Sequence, residues 1–255
     1  MVIKDQIWYA PAGEARTLHI YLPEGYNDSD KHYPVLYFFD GHNLFFDSDA
    51  TFGKSWGLKS FLDGWDRELI VVGIECSHDG DHRLDEYCPY DTKLMNKKIH
   101  GEGRETLDWM ILSLKPYIDG NYRTCPFRET TAIAGSSMGG LMALYAVTMY
   151  NNYFSMAACV SSTIFTVLQP LLADLRTCSL SPDTSVYLSW GSREGGTDPD
   201  SGFCKFLRNA NRKVEDSLHK QNVRTSLYCQ EDGGHCEADW EKQIPIFMDF
   251  LYKAG

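Results

Sequence analysis

The chain has no long hydrophobic run. Nowhere does it reach the roughly 20 consecutive apolar residues that a membrane-spanning helix needs. Positive charge is also scarce: 24 Lys and Arg face 35 Asp and Glu, giving a formal charge of −11. That balance argues against nucleic acid or an anionic membrane surface as a partner. Residues 1–30 lack both a basic start and an apolar core of signal-peptide length, so the chain as read is expected to be soluble and cytoplasmic. It contains no C-x-x-C pair. His78, Asp79, Asp81 and His82 crowd one stretch without a supporting scaffold, so neither a metal nor a cofactor is expected. The eight cysteines (76, 88, 125, 159, 178, 204, 229 and 236) read as free thiols rather than a disulfide framework. Repeats, low-complexity tracts and long linkers are missing as well. The sequence is compatible with a homo-oligomer and does not specify one.

What is present is a chain of 255 residues, 43% of them hydrophobic, enough to bury one large core; residues 1–255 read as a single α/β domain. Strand-like runs near 16–22, 35–39, 69–74, 131–134, 155–160, 185–190 and 223–229 alternate with helical stretches. The helices are placed at Glu105 to Ile118, Gly139 to Tyr150, Phe203 to Gln221 and Trp240 to Tyr252, with Pro245 in the first turns of the last. This alternation predicts a mostly parallel sheet with helices on both faces and an antiparallel first hairpin.

The stretch AIAGSSMGGL, residues 132–141, puts Ser137 at the apex of a G-x-S-x-G turn between a short buried strand and a buried helix. Glycines on either side let the backbone turn sharply enough to lift the hydroxyl above the sheet. The helix begins under the serine, so its free N–H groups point at an oxyanion forming there. Ser137 is the candidate nucleophile.

A serine nucleophile needs a base. His235, in EDGGHCEADWE, follows the last strand-like run and two glycines, which would hold its ring on an exposed loop at the carboxyl end of the sheet. Imidazole titrates near neutrality and can take and return the serine proton. The other seven histidines lack this placement. A carboxylate belongs between the two in chain order. Glu194 fits, three residues past the glycine that ends the run 185–190; Asp198 is the alternative. The oxyanion donors are expected to be the N–H of Met138 and that of His42 in the loop after 35–39, with Gly41 or Asn43 as neighbours not separated from it. Gly41 would let backbone approach the substrate closely.

These residues sit in a chain that resembles the putative esterase branch of the α/β-hydrolases, which includes feruloyl and acetyl xylan esterases, enterochelin esterases, S-formylglutathione hydrolases and mycolyltransferases. The resemblance runs through YFFDGHNLFFD, FGKSW (52–56), IVVGIE (70–75), RLDEYCP (83–89), LKPYIDGNYRT (114–124), IAGSSMGGLMALY (133–145) and GGHCEADW (233–240), in the family's order. It departs at His42, where relatives often carry Gln. The resemblance implies an α/β-hydrolase fold and a serine hydrolase using Ser137 and His235.

Specificity is assigned to the loops above the sheet. In R-x-x-E-Y, an Arg83–Glu86 ion pair propping the loop is one expectation, and substrate contact by Arg83 or Tyr87 the other. Trp56, Phe45 and Trp190 are candidates for pocket walls. The expected activity is hydrolysis of a small acyl or aryl ester, including feruloyl or acetyl sugar esters. An acyltransferase sharing the acyl-enzyme, a thioester or siderophore-lactone hydrolase, and a catalytically silent binding module are the alternatives.

Overall fold

The computed structural model describes residues 1–94, 96–196 and 201–253. Eight strands form one sheet in the order β1-β2-β4-β3-β7-β8-β9-β10. The central ones are β3 (Val35–Phe39), β4 (Ile70–Ile74), β7 (Thr131–Ser136) and β8 (Met156–Val160), every residue of which is buried. Continuous apolar runs of this kind belong to a parallel sheet covered on both faces. From β4 through β3, β7, β8, β9 (Ser185–Gly191) and β10 (Arg224–Gln230), all neighbours are parallel.

The edge differs. β1 (Val2–Tyr9) and β2 (Glu14–Tyr21) make an antiparallel hairpin, and β2 pairs antiparallel with β4. β1 lies outside the strand-like runs read from the sequence: VIKDQIWY is an edge strand whose exposed positions are Lys4, Gln6 and Trp8, and it carries no continuous apolar run. A small hairpin, β5 (Thr92–Leu94) and β6 (Lys97–Ile99), lies apart from the main sheet.

Side chains alternate along the strands and feed two cores. Val35, Tyr37 and Phe39 pack in one cluster while Leu36 and Phe38 pack in the other. The first cluster receives α3 (Gly103–Trp109), α5 (Met138–Met149), α6 (Leu168–Thr177) and α7 (Gly202–His219); the second receives α1 (Leu58–Gly64) and α9 (Ile244–Tyr252). Two short helices, α2 (His82–Glu86) and α8 (Glu237–Trp240), lie among the loops at the carboxyl ends of the strands. The helix expected over 105–118 is α3 followed by a wide π turn at Met110–Leu114 and then α4 (Lys115–Asn121). The wide turn comes just before Pro116, whose missing N–H breaks the regular ladder. Pro245 stands in the first turn of α9, where that loss is harmless. No helix among the described residues is long and apolar enough to cross a membrane.

Candidate active site

Ser137 sits between β7 and α5 with φ 56° and ψ −121°, a conformation that L-residues rarely adopt. Three backbone hydrogen bonds hold it there. Its N–H donates to Val160 O at 3.0 Å, and its carbonyl accepts from Leu141 N at 3.1 Å and Thr163 N at 3.2 Å. Gly135 makes this turn sterically feasible, because a Cβ there would come within 2.5 Å of the Gly139 backbone. Met138 opens α5, so its backbone N–H belongs to the first-turn donors that no carbonyl of the same helix can accept.

The loops after β9 and β10 carry the other two candidates, Glu194 and His235. Past β9 the chain turns so that the N–H of Gly191 donates to Glu194 Oε1 at 2.6 Å. Past β10, the carbonyl of Gly233 accepts from Arg193 N at 2.9 Å, which ties the two loops together. Glu194 Oε2 lies 3.2 Å from His235 Nδ1, with the carboxylate side chain 6% exposed and the imidazole 37% exposed. A buried acid thus meets one face of a ring whose other nitrogen is free for solvent or substrate. The ring also packs edge-on against Trp240, centroids 5.0 Å apart. Asp198, the alternative acid, lies outside the described residues.

Ser137 and His235 line one cavity of about 650 Å³, together with Asp40, His42, Thr51, Phe52, Cys76, His78, Arg83, Glu237 and Trp240. No hydrogen bond closes the gap between the Ser137 hydroxyl and His235 in this structure. Such bonds commonly tighten only when substrate arrives.

The loop after β3 forms a 3-10 turn, Gly41–Asn43, that begins at Asp40 with φ 60°. The N–H of Asn43 donates to Asp40 O at 2.9 Å, which removes Asn43 from the candidate oxyanion donors and leaves His42 and Gly41. Gly41 is required by the fold itself, since a Cβ there would run into the Gly73 backbone of β4.

Arg83 and Glu86 do not pair. Arg83 grips Asp40 with two hydrogen bonds, Nε to Oδ1 and Nη2 to Oδ2, both 2.7 Å, while Glu86 takes Arg16 at 2.7 and 2.8 Å in a separate buried pair. On a five-residue helix an i, i+3 pair was sterically available, but each charge found a more deeply buried partner across the fold. Burial opposes the Asp40 charge, yet Arg83, with help from His42, holds its carboxyl below the usual carboxylate range. Tyr87 is buried under this pair, and its hydroxyl accepts the Asp40 N–H at 3.3 Å, so it shapes the loop from below instead of facing substrate.

The aromatic walls expected at Trp56, Phe45 and Trp190 are core residues. Trp56 packs on Phe38, Trp240 and Phe247; Phe45 stacks on Tyr21; Trp190 joins Cys204 and Leu207. The cavity's aromatics are Trp240 and Phe52, the latter 81% exposed on the loop after the 3-10 turn. Nothing in the sequence marks Phe52 except its place in FGKSW. Glu237 was also missed: it is buried on the cavity wall two residues past His235, and burial, reinforced by Asp40, holds its carboxyl above the usual range. The crowded stretch 78–82 is not assembled, since Asp81 pairs with Lys97; His78 instead faces His42.

The sheet and its covering helices are those of an α/β-hydrolase fold. Residues 10–249 match the family described as Putative esterase, and the chain belongs to that family of carboxylic ester hydrolases. It is 26% identical over 244 residues to the uncharacterized protein YbbA of Bacillus subtilis, covering 93% of this chain and 92% of that one. It is 27% identical over 158 residues to Esterase Rv1288 of Mycobacterium tuberculosis, covering 60% of this chain and 31% of the mycobacterial protein. An IroE-like serine hydrolase from Shewanella oneidensis superposes with a TM-score of 0.75 at 20% identity, over 98% of this chain and 81% of that one, and shares the fold.

Proposed function

We propose that the protein hydrolyses small acyl or aryl esters through a covalent acyl-enzyme on Ser137. The observation that carries this is the pairing of a buried Glu194 with His235 on the rim of the cavity that Ser137 enters at a strained turn. The Ser137 Oγ attacks the ester carbonyl as its proton passes to His235 Nε2. Glu194, held by the Gly191 N–H, keeps Nδ1 protonated and stabilises the imidazolium. Met138 and His42 offer backbone N–H groups to the oxyanion. His235 then protonates the leaving alcohol, and water enters by the same steps in reverse.

Feruloyl or acetyl sugar esters fit as the substrate class: Phe52 offers an aryl-stacking face, and Asp40, His42, His78 and Glu237 make a polar wall for hydroxyl groups. A serine-directed sulfonyl fluoride should inactivate the enzyme with one label per chain, on Ser137. A burst of p-nitrophenol equal to the enzyme concentration should accompany slow deacylation. Labelling elsewhere with full loss of activity would sink the assignment. A panel of p-nitrophenyl, feruloyl, acetyl-sugar and thioester substrates, with product analysis in the presence of an added alcohol, separates the substrate classes and the transferase.

A further inference from the structure

The cavity that Ser137 lines also carries three metal-ligating side chains, His42, Cys76 and His78, that take no part in the acyl-transfer steps. His42 stands in the turn after β3, and Cys76 and His78 follow β4, its parallel neighbour, so the sheet register brings all three to one end. One ligand atom from each lies within 4.8 Å of the others. The His42 ring is 94% buried, being 6% exposed; its Nε2 is tied to Thr51 Oγ1 at 2.9 Å, while its Nδ1 is buried and has no partner at all. An orphaned buried polar atom costs about 1–3 kcal/mol unless something satisfies it. Where Nε2 carries the proton and donates to Thr51, Nδ1 presents a lone pair fixed in direction, which is how a ring partner orients a metal-binding histidine. His78 meets the His42 ring edge-on, centroids 4.7 Å apart, and touches Glu75 Oε2 at 3.2 Å.

We infer that His42, Cys76 and His78 form an inhibitory site for Zn²⁺ inside the catalytic cavity. Two imidazoles and a thiolate are ligands that Zn²⁺ prefers, with a fourth position left for water on the cavity side. In a tetrahedral site with bonds of about 2.0–2.3 Å, neighbouring ligand atoms stand about 3.5 Å apart. The trio must therefore close by about 1 Å from its widest separation. His78, with a side chain 57% exposed, makes that movement by giving up its contact with Glu75. Binding forms two Zn–N bonds and one Zn–S bond in place of three of the ion's water ligands, and the Cys76 thiol proton, which burial and Asp40 otherwise hold on the sulfur, leaves to solvent. The inhibitory effect rests on the reading above, in which His42 supplies an oxyanion N–H: an ion on its ring fills the space over Ser137 that the acyl group needs.

The test separates binding from inhibition. The EDTA-treated protein, titrated with Co²⁺ as a spectroscopic probe, should take up one ion per chain with a sulfur-to-cobalt charge-transfer band. Cys76→Ser should abolish the band, and His78→Asn should weaken binding about tenfold or more. Ser137→Ala should keep the band, so the site is read independently of the nucleophile. Zn²⁺ should displace Co²⁺ and inhibit ester hydrolysis, and EDTA should restore it. Measured against its own metal-free turnover, His78→Asn should require about tenfold more Zn²⁺ for the same fractional inhibition. A band that persists in Cys76→Ser, or equal Zn²⁺ inhibition of His78→Asn and wild type, overturns the site. Activation by Zn²⁺ overturns both the inhibitory role and the metal-free acyl-enzyme.

Discussion

Two loops on the same rim each force a non-glycine residue to positive φ, Ser137 at 56° and Asp40 at 60°, and they hold that strain by different means. Such conformations cost on the order of 1–3 kcal/mol and persist only where the surroundings over-determine them. At Ser137 the restraint is backbone, from the adjoining strand and the helix it opens. At Asp40 one local backbone bond, from the Asn43 N–H, is joined by distant side chains: the Tyr87 hydroxyl accepts the Asp40 N–H, and Arg83, 43 residues along, grips both carboxylate oxygens. A turn held by its own backbone announces itself as a short motif. A turn held by a remote guanidinium does not, although both are equally close to the cavity.

Breaking the chemistry at the first loop should have the largest effect. Ser137→Ala removes the attacking oxygen and should lower turnover on the order of 10⁴ to 10⁶-fold. Thermal melting should be almost unchanged, because the backbone bonds that fix the turn remain. Retention of more than about a tenth of wild-type activity would remove Ser137 from the mechanism.

Next comes the acid. Glu194→Gln keeps the shape but no longer stabilises the imidazolium, and the analogous change in a serine triad costs about 10⁴ in kcat. KM should change little. If Glu194→Gln is nearly silent while Asp198→Asn is not, steady-state kinetics assign the acid to Asp198.

Arg83→Gln attacks the second loop and sharpens the contrast. It leaves Asp40 buried without its partner, at a cost of about 3 kcal/mol. Displacement of the His42 turn by about 1 Å would lower kcat/KM on the order of 10²-fold. The pH dependence has a definite sign. Asp40 is held low in the folded protein, so the stability it contributes is present above the ordinary carboxylate range, about 4, and is lost as pH falls through its lower folded value. Without Arg83, burial penalises the Asp40 charge with only the smaller effects of His42 and Cys76 opposing it. The melting deficit of Arg83→Gln should therefore be greatest near pH 7 and narrow as pH falls toward 4. A deficit that is constant with pH would mean the ion pair is not what holds the loop.

The smallest effect concerns aromatics. Phe52→Ala should change stability by less than about 0.5 kcal/mol, as expected of an exposed side chain, while raising KM for aryl esters more than for acetyl esters. Trp56→Ala should do the reverse, costing about 3–5 kcal/mol in urea unfolding with no change in aryl preference in the folded enzyme. Matching shifts in aryl KM for both variants would return Trp56 to the pocket.

The amino-acid sequence by itself determined the sheet, because runs such as VLYFF and IVVGI are apolar on both faces and can be satisfied only in the middle of a covered parallel sheet. It also marked Ser137, Glu194 and His235, since each follows the end of a strand and the carboxyl ends of parallel strands share one rim. The pairing of these residues with one another was set at the rim, where β9 and β10 run side by side and their loops bond through Gly233 and Arg193. Other features left no local trace. The tertiary structure alone decided that Arg83 serves Asp40 and not Glu86, that Trp56 and Trp190 are core while Phe52 stands at the cavity mouth, and that His42 meets Cys76 and His78. Charges and aromatic rings choose partners by burial and direction in space, and residues tens of positions apart become neighbours only once the strands that carry them have paired.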